Sequence, residues 1–225
     1  MGNELYELTV RVFYRKLGRI KYISHLDLVR CVSRCLKRSG LPVWHTLGFN
    51  PHIYVTFALP LALGYESECE SMDFRLVQAV PFQEVVDRLN QVFPQGLEAY
   101  RAAPVVQKPE AIAWAEYEIT QEFSQGKPET AGQALEAFCS QPEIPVMKRT
   151  KKGEKQLDVK PLFTILEQRV SEDAFWLRMR TAAGAQRNIN PTLVLDAFAT
   201  QTGWKADWTQ VVRKRILDES LHDFQ

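Results

Sequence analysis

Residues Leu5 to Arg15 alternate strictly, with Tyr6, Leu8, Val10, Val12 and Tyr14 on one face and Glu7, Thr9, Arg11, Phe13 and Arg15 on the other. A period of two sustained over this length predicts a strand with one side against a core and the other side open. The period then changes. Ser24 is a good N-cap, and Asp27 three residues on takes the place of the usual Glu in a reciprocal capping box. In the helix that follows, Leu28, Val32, Cys35 and Leu36 share one side, while Arg30, Arg34, Lys37 and Arg38 form a stripe on another. Ser39-Gly40, with Pro42 beyond, ends it.

Further along, Ile53 to Leu59 and Glu70 to Val77 read as strands, Phe82 to Phe93 as an amphipathic helix, and Leu97 to Val106 as a fourth strand. The order β-α-β-β-α-β is the split βαβ plan of a ferredoxin-like domain, with both helices on one face of an antiparallel sheet. Lys108-Pro109 reads as a linker, after which the order repeats. Strands are expected at Trp114 to Phe123, Phe175 to Thr181 and Gln210 to Leu217, and helices at Glu129 to Cys139 and at Pro191 to Thr202 with Asn190 as cap. Ile144 to Thr150 and Gln156 to Lys160 form the expected hairpin of this half. Pro161 to Val170 reads either as a short helix or as an inserted strand. The expected architecture is α+β, two tandem ferredoxin-like (βαββαβ) units with antiparallel sheets over 1–107 and 111–225.

The net charge of +1 hides an uneven distribution: between Met1 and Val55 nine Lys/Arg face three acids. Basic residues gather again at Lys148, Arg149, Lys151, Lys152 and Lys155, and at Arg213 to Arg215. Such patches suit phosphates, or are simply solvated faces. The longest mostly apolar run, Val55 to Leu63, is too short for a bilayer, and the first residues lack a signal-peptide pattern. A cytoplasmic protein with no membrane partner is expected.

Two sheet faces combine an aromatic ring with arginines: Arg11, Phe13 and Arg15 on the first strand, and Trp176, Arg178 and Arg180 on the strand from Phe175. On an open sheet such a face reads single-stranded RNA, since bases stack on the ring and guanidinium groups hold phosphate; the alternative is that these faces are buried between the two domains or under loops. The stretch from Ser24 to Asp73 carries further polar groups. His25, Asp27 and His52 are the candidates for acid-base chemistry, and Asn50 for contact with RNA. Glu66, Glu68, Glu70 and Asp73 form an acidic cluster. Glu70 and Asp73 can hold a divalent ion or pair with the arginines of the first helix. No nucleophile elbow, phosphate loop or zinc motif is present. Cys31 and Cys35 share a helical face without further ligands at metal spacing, and no CxxxCxxC iron-sulfur set occurs. No cofactor is expected in this chain.

The runs Lys21-Tyr-Ile-Ser-His-Leu-Asp27, Arg30, Arg34, Ser39-Gly-Leu-Pro42, Gly48-Phe-Asn-Pro-His52, Phe57-Ala-Leu-Pro-Leu61, Gly64, Ser67, Glu70 and Asp73 resemble the radical SAM-linked domain of unknown function. In the second half, Asp158-Val-Lys-Pro161 resembles a pattern of the same family. Asn190-Pro191 departs from its more usual Arg-Pro. The resemblance implies a radical SAM protein as partner, which would supply the cluster and the radical. It transfers no catalytic role to any residue here.

Three functions remain open from the sequence. One is an accessory protein that positions RNA, transfer or ribosomal, for modification by a radical SAM enzyme. It would use Arg11, Phe13, Arg15, Arg30, Arg34, Lys37, Arg38, Asn50, Trp176, Arg178 and Arg180. The second is a metal-independent endoribonuclease, related in architecture to CRISPR repeat-processing nucleases, with His25 or His52 as acid or base. The third is a protein-interaction module that docks through the loop from Gly48 to His52.

Overall fold

The computed structural model describes residues 8–124, 128–150, 153–171, 174–185 and 187–225. The start of the opening alternation, with Tyr6 and Glu7, lies outside the described residues. So do the side chains of the basic cluster Lys148, Arg149, Lys151, Lys152 and Lys155. The chain is a mixed α+β protein with antiparallel sheets and four α-helices among the described residues. It divides into two units, Met1–Ala111 with Phe224–Gln225, and Ile112–Asp223. The final two residues, which the sequence assigns to the second half, group with the first. Among the described residues no helix is long and apolar enough to cross a membrane.

In the first unit, β1 (Leu8–Lys16), α1 (His25–Arg38), β2 (Val55–Phe57), β3 (Glu66–Leu76), α2 (Phe82–Asn90) and β4 (Leu97–Pro104) follow one another. The sheet runs β4-β1-β3, with β2 on the far side of β3 and every pair antiparallel. Alternation puts Val10, Val12, Tyr14, Met72, Phe74 and Leu76 in one core with Leu28, Val32 and Leu36 of α1 and Val85 and Leu89 of α2. Both helices therefore cover the same side of the sheet. β2 is far shorter than the expected strand. After Gly40 the chain pairs with β3 only at Val43, leaves as a loop, and returns at Val55.

The turn from β1 and the turn into β4 are locked together, since the Leu17 amide donates to the Gly96 carbonyl at 2.8 Å. Gly96 has φ +94°, and a Cβ there would stand 2.4 Å from the Leu17 carbonyl oxygen. Only glycine suits the position.

The second unit comprises β5 (Trp114–Glu122), α3 (Pro128–Cys139), β6 (Pro145–Thr150), β7 (Gly153–Asp158), β8 (Phe163–Val170), β9 (Ala174–Ala182), α4 (Pro191–Thr202) and β10 (Trp208–Leu217). Its sheet runs β10-β5-β9-β8, again antiparallel throughout. The segment with two open readings thus becomes a sheet strand, entered through a single 3-10 turn at Lys160–Leu162. Among the described residues the hairpin β6-β7 forms a two-stranded sheet of its own. The run Asp158-Val-Lys-Pro161 explains the division. The Asp158 carboxylate accepts from the amides of Ile144 and Lys160, and the Lys160 ammonium donates to the Cys139 carbonyl. The hairpin base, the end of α3 and the start of β8 are tied at one point.

Asn190 occupies the N-cap of α4 but makes no side-chain capping bond. Gly203, at φ +80°, ends that helix with its amide on the Ala199 carbonyl.

Candidate nucleic-acid interface

The cationic stripe of α1 forms as its spacing demands. Leu28, Val32, Cys35 and Leu36 are buried, which turns Arg30, Arg34, Lys37 and Arg38 to the exterior, all exposed. Arg30 reaches Asp27 at 3.1 Å, and Arg38 donates to the Val92 carbonyl at 2.9 Å. Arg34 and Lys37 make no ion pair with any described residue. Exposed cations on one helical face hold phosphates at low desolvation cost.

The outer face of the first sheet, opposite the helices, is not open, which corrects the expectation for Arg11 and Phe13. Arg11 is 0% exposed and lies opposite Asp73 in the β1-β3 register. Its Nε and Nη2 both bond the Asp73 carboxylate at 2.7 Å, and its Nη1 donates to the carbonyls of Gln107 and Gln225 at 2.8 and 2.7 Å. The Phe224 ring lies 4.4 Å from its guanidinium carbon. This fork-to-fork pair, with further acceptors on the remaining donors, is what a buried charge requires. Phe13 is 4% exposed because the Arg101 guanidinium covers its ring at 3.8 Å. Arg15, partly exposed, pairs with Glu98 at 3.0 Å and stacks on Tyr100 at 5.0 Å. The Tyr100 hydroxyl is pushed up to about 12, mainly by desolvation.

The acids do not pair with the arginines of α1. Asp73 is committed to Arg11 of β1, and Glu66 accepts from the Gly18 amide at 2.8 Å and lies 3.6 Å from Lys21. Glu70 is buried opposite Tyr14. Among the described residues no group of three or more His, Cys, Asp or Glu is placed to hold a metal ion. The thiols of Cys31 and Cys139 are pushed up, first by burial in each case, the latter to about 11.

His25, Asp27 and His52 each have a separate partner. The His25 ring sits edge-on to Phe57 with centroids 5.3 Å apart. The Ser24 hydroxyl accepts from the Asp27 amide and donates to its carboxylate at 2.7 Å, so the reciprocal bond goes to the side chain rather than to the Ser24 amide. That bond and the one from Arg30 hold the Asp27 carboxyl below the usual aspartate range. His52 belongs to the loop from Trp44 to Tyr54. Its ring lies 3.0 Å from the Thr46 hydroxyl, its carbonyl accepts from the Thr46 amide, and a bridge pairs His45 with Ile53. The loop is therefore a closed finger. At its tip Leu47 and Phe49 are almost wholly exposed, with Asn50 exposed beside them.

In the second unit, Trp176, Arg178 and Arg180 project from one side of β9 while Phe175, Leu177 and Met179 are buried on the other. All three are partly exposed. Arg169 stacks on Trp176 at 4.8 Å, and Arg180 donates twice to Glu116. The Arg178 Nε is itself buried and has no hydrogen-bond partner among the described residues. Arg213, counted in a basic cluster, is instead buried with its Nε 3.3 Å from the Tyr117 hydroxyl.

Sequence reasoning missed one grouping. Arg75 of β3 lies with its guanidinium carbon 5.1 Å from the Trp44 ring and 5.8 Å from the Tyr54 ring. Alternation alone sets Arg75 on the same strand face as Asp73, but joining it to both ends of a loop needed the pairing of that loop with β3.

No curated protein matches the chain. Among solved structures, a Cbf5-Nop10-Gar1 complex aligns with a TM-score of 0.48 and 11% identity over 91% of this chain, which spans 48% of that chain. A structure titled as an unknown protein from Galdieria sulphuraria aligns with a TM-score of 0.25 and 15% identity, over 91% of this chain and 96% of that one. At these scores neither likeness bears on function. Residues 9–191 match the family described as "Uncharacterized protein conserved in bacteria (DUF2344)", and the chain belongs to that family.

Proposed function

We propose that this protein binds RNA and presents it to a partner enzyme in the cytoplasm, without carrying the reaction itself. The observation that carries this reading is the exposed cationic face of α1, where Arg34 and Lys37 have no ion-pair partner among the described residues and Arg30 has only the exposed Asp27. The Trp176 face of β9, where Trp176, Arg178 and Arg180 are all partly exposed and Arg169 stacks on the ring, adds a second surface suited to a phosphate and a base. The partner is read from the motif resemblance alone: a radical SAM protein, which would supply the cluster and the radical for RNA modification.

Binding of labelled transfer RNA and ribosomal RNA fragments across a salt series tests the proposal. The log-log slope falls by about one unit for each phosphate that Arg30→Ala/Arg34→Ala leaves unneutralised. Affinity that ignores both salt and these substitutions removes the reading.

A second reading, docking to a protein through the finger, is favoured by Leu47 and Phe49, large apolar side chains exposed at a preformed tip. It expects a complex with the radical SAM protein that Leu47→Ser/Phe49→Ser dissolves, with no affinity for RNA.

A further inference from the structure

We infer that Trp44, Arg75 and Tyr54 form a stacking clamp for an unpaired base on the outer side of β3. The inference rests on the RNA-binding reading above and adds a site and a substrate class to it, single-stranded RNA. Arg75 lies on the outer side of β3, where its guanidinium carbon is 5.1 and 5.8 Å from two rings that come from opposite ends of the finger. Trp44 is fixed by its own amide, which donates to the Arg75 carbonyl at 2.8 Å. Tyr54 directly precedes Val55, which pairs with Phe74, so continuing the ladder by one residue sets it opposite Arg75. The bridge from His45 to Ile53 and the bond from the Thr46 amide to the His52 carbonyl close the loop between them. The three planes are thus positioned by backbone pairing before any ligand arrives.

Tyr54 is nevertheless 46% exposed, an aromatic ring that the core of this unit does not use. A ring backed by a guanidinium offers a base both stacking and cation-π attraction. Bases within a duplex are already stacked on each other, so an exposed ring on a sheet can take only a base that has left the stack. The charge pattern separates this site from α1. From Ser39 to Tyr65 the chain carries no Lys, Arg, Asp or Glu. Apart from Arg75, whose guanidinium lies against the two rings, the clamp has no charged member, so it contributes stacking with little phosphate binding, whereas α1 binds phosphates without rings.

The test is fluorescence anisotropy of the full chain with a short labelled oligoadenylate and with a blunt RNA duplex of equal length, over a salt series. The single strand binds more tightly than the duplex. Tyr54→Ala weakens it roughly fivefold to a hundredfold while leaving the salt slope unchanged, and Tyr54→Phe, which keeps the ring, binds as the native protein does. Thermal melting of each variant separates a loss of stacking from a loss of fold. Ultraviolet crosslinking provides a readout that needs no substitution. Since no Lys or Arg lies between Arg38 and Arg75, trypsin releases the whole site as one peptide, Ser39 to Arg75, which should carry the nucleotide.

Equal binding of duplex and single strand, Tyr54→Ala indistinguishable from Tyr54→Phe, or crosslinks only in other peptides would each overturn the clamp while leaving RNA binding through α1 in place. No binding of any RNA by the native chain would remove both.

Discussion

Arg11, Phe13 and Arg15 on β1 and Trp176, Arg178 and Arg180 on β9 share a pattern, a ring among arginines on the side of a sheet turned from its helices. Their fates differ. On β1 the central arginine is consumed by Asp73, Gln107 and Gln225, and the ring lies beneath Arg101. On β9 the ring and both arginines stay partly exposed, with Arg169 stacked on Trp176 and Arg180 bonded to Glu116. Alternation along a strand therefore says which residues share a side. Whether that side is reachable depends on chain segments far away in sequence.

The difference can be broken most directly at Arg11. Removing one partner of a buried ion pair leaves the other charge uncompensated, so Arg11→Met or Asp73→Asn should lower stability by about 3–5 kcal/mol in urea unfolding. The double substitution Arg11→Met/Asp73→Leu should recover much of that loss. A single Arg11→Met variant as stable as the native protein would mean that β1 is as open as β9.

The rings give the next largest contrast. Phe13→Ala empties a buried site and should cost about 3 kcal/mol in the same measurement. Trp176→Ala, at a partly exposed site, should cost less than about half as much and instead weaken oligonucleotide binding. Equal losses of stability would erase the distinction between the faces.

A smaller effect tests what holds the covered face in register. Gly96→Ala forces a Cβ against the Leu17 carbonyl and strains a positive φ at the turn beside β1 and β4. The expected destabilisation is about 2 kcal/mol.

The smallest effect belongs to Asp27, at the head of the cationic helix. Its carboxyl is held below its ordinary value by Ser24 and then Arg30. A depressed folded-state value means that its stabilisation is present above the unfolded value and is lost as pH falls, below about pH 4. Acid unfolding followed by circular dichroism should therefore show a shallower acid limb in Asp27→Asn. An unchanged limb would show that the cap does not report on α1.

Much of the candidate interface was legible because it depends on local periodicity. The stripe on α1 follows from the spacing of Arg30, Arg34 and Lys37 against Leu28, Val32 and Leu36, a relation that holds for any helix with that buried side. The clamp was not legible. Trp44, Tyr54 and Arg75 come from two ends of a loop and a later strand, and only cross-strand pairing brings their rings and guanidinium together. The hairpin β6-β7 illustrates the same limit. Its strand patterns are evident, but periodicity does not reveal that Asp158 and Lys160 tie its base and that β8 takes the place in the sheet.

By itself the sequence determined the element order of the first unit, the buried side of α1, and the separation of a cationic helix from an uncharged loop, because these follow from neighbours within a few residues. Tertiary structure decided which arginines remain available. Arg11 and Arg34 are the same residue type on exposed-looking positions, yet Asp73, Gln107, Phe224 and Gln225 converge on the first alone. The physical reason is that a charge stays buried only where distant partners satisfy nearly every donor, and no local pattern records where those partners will be.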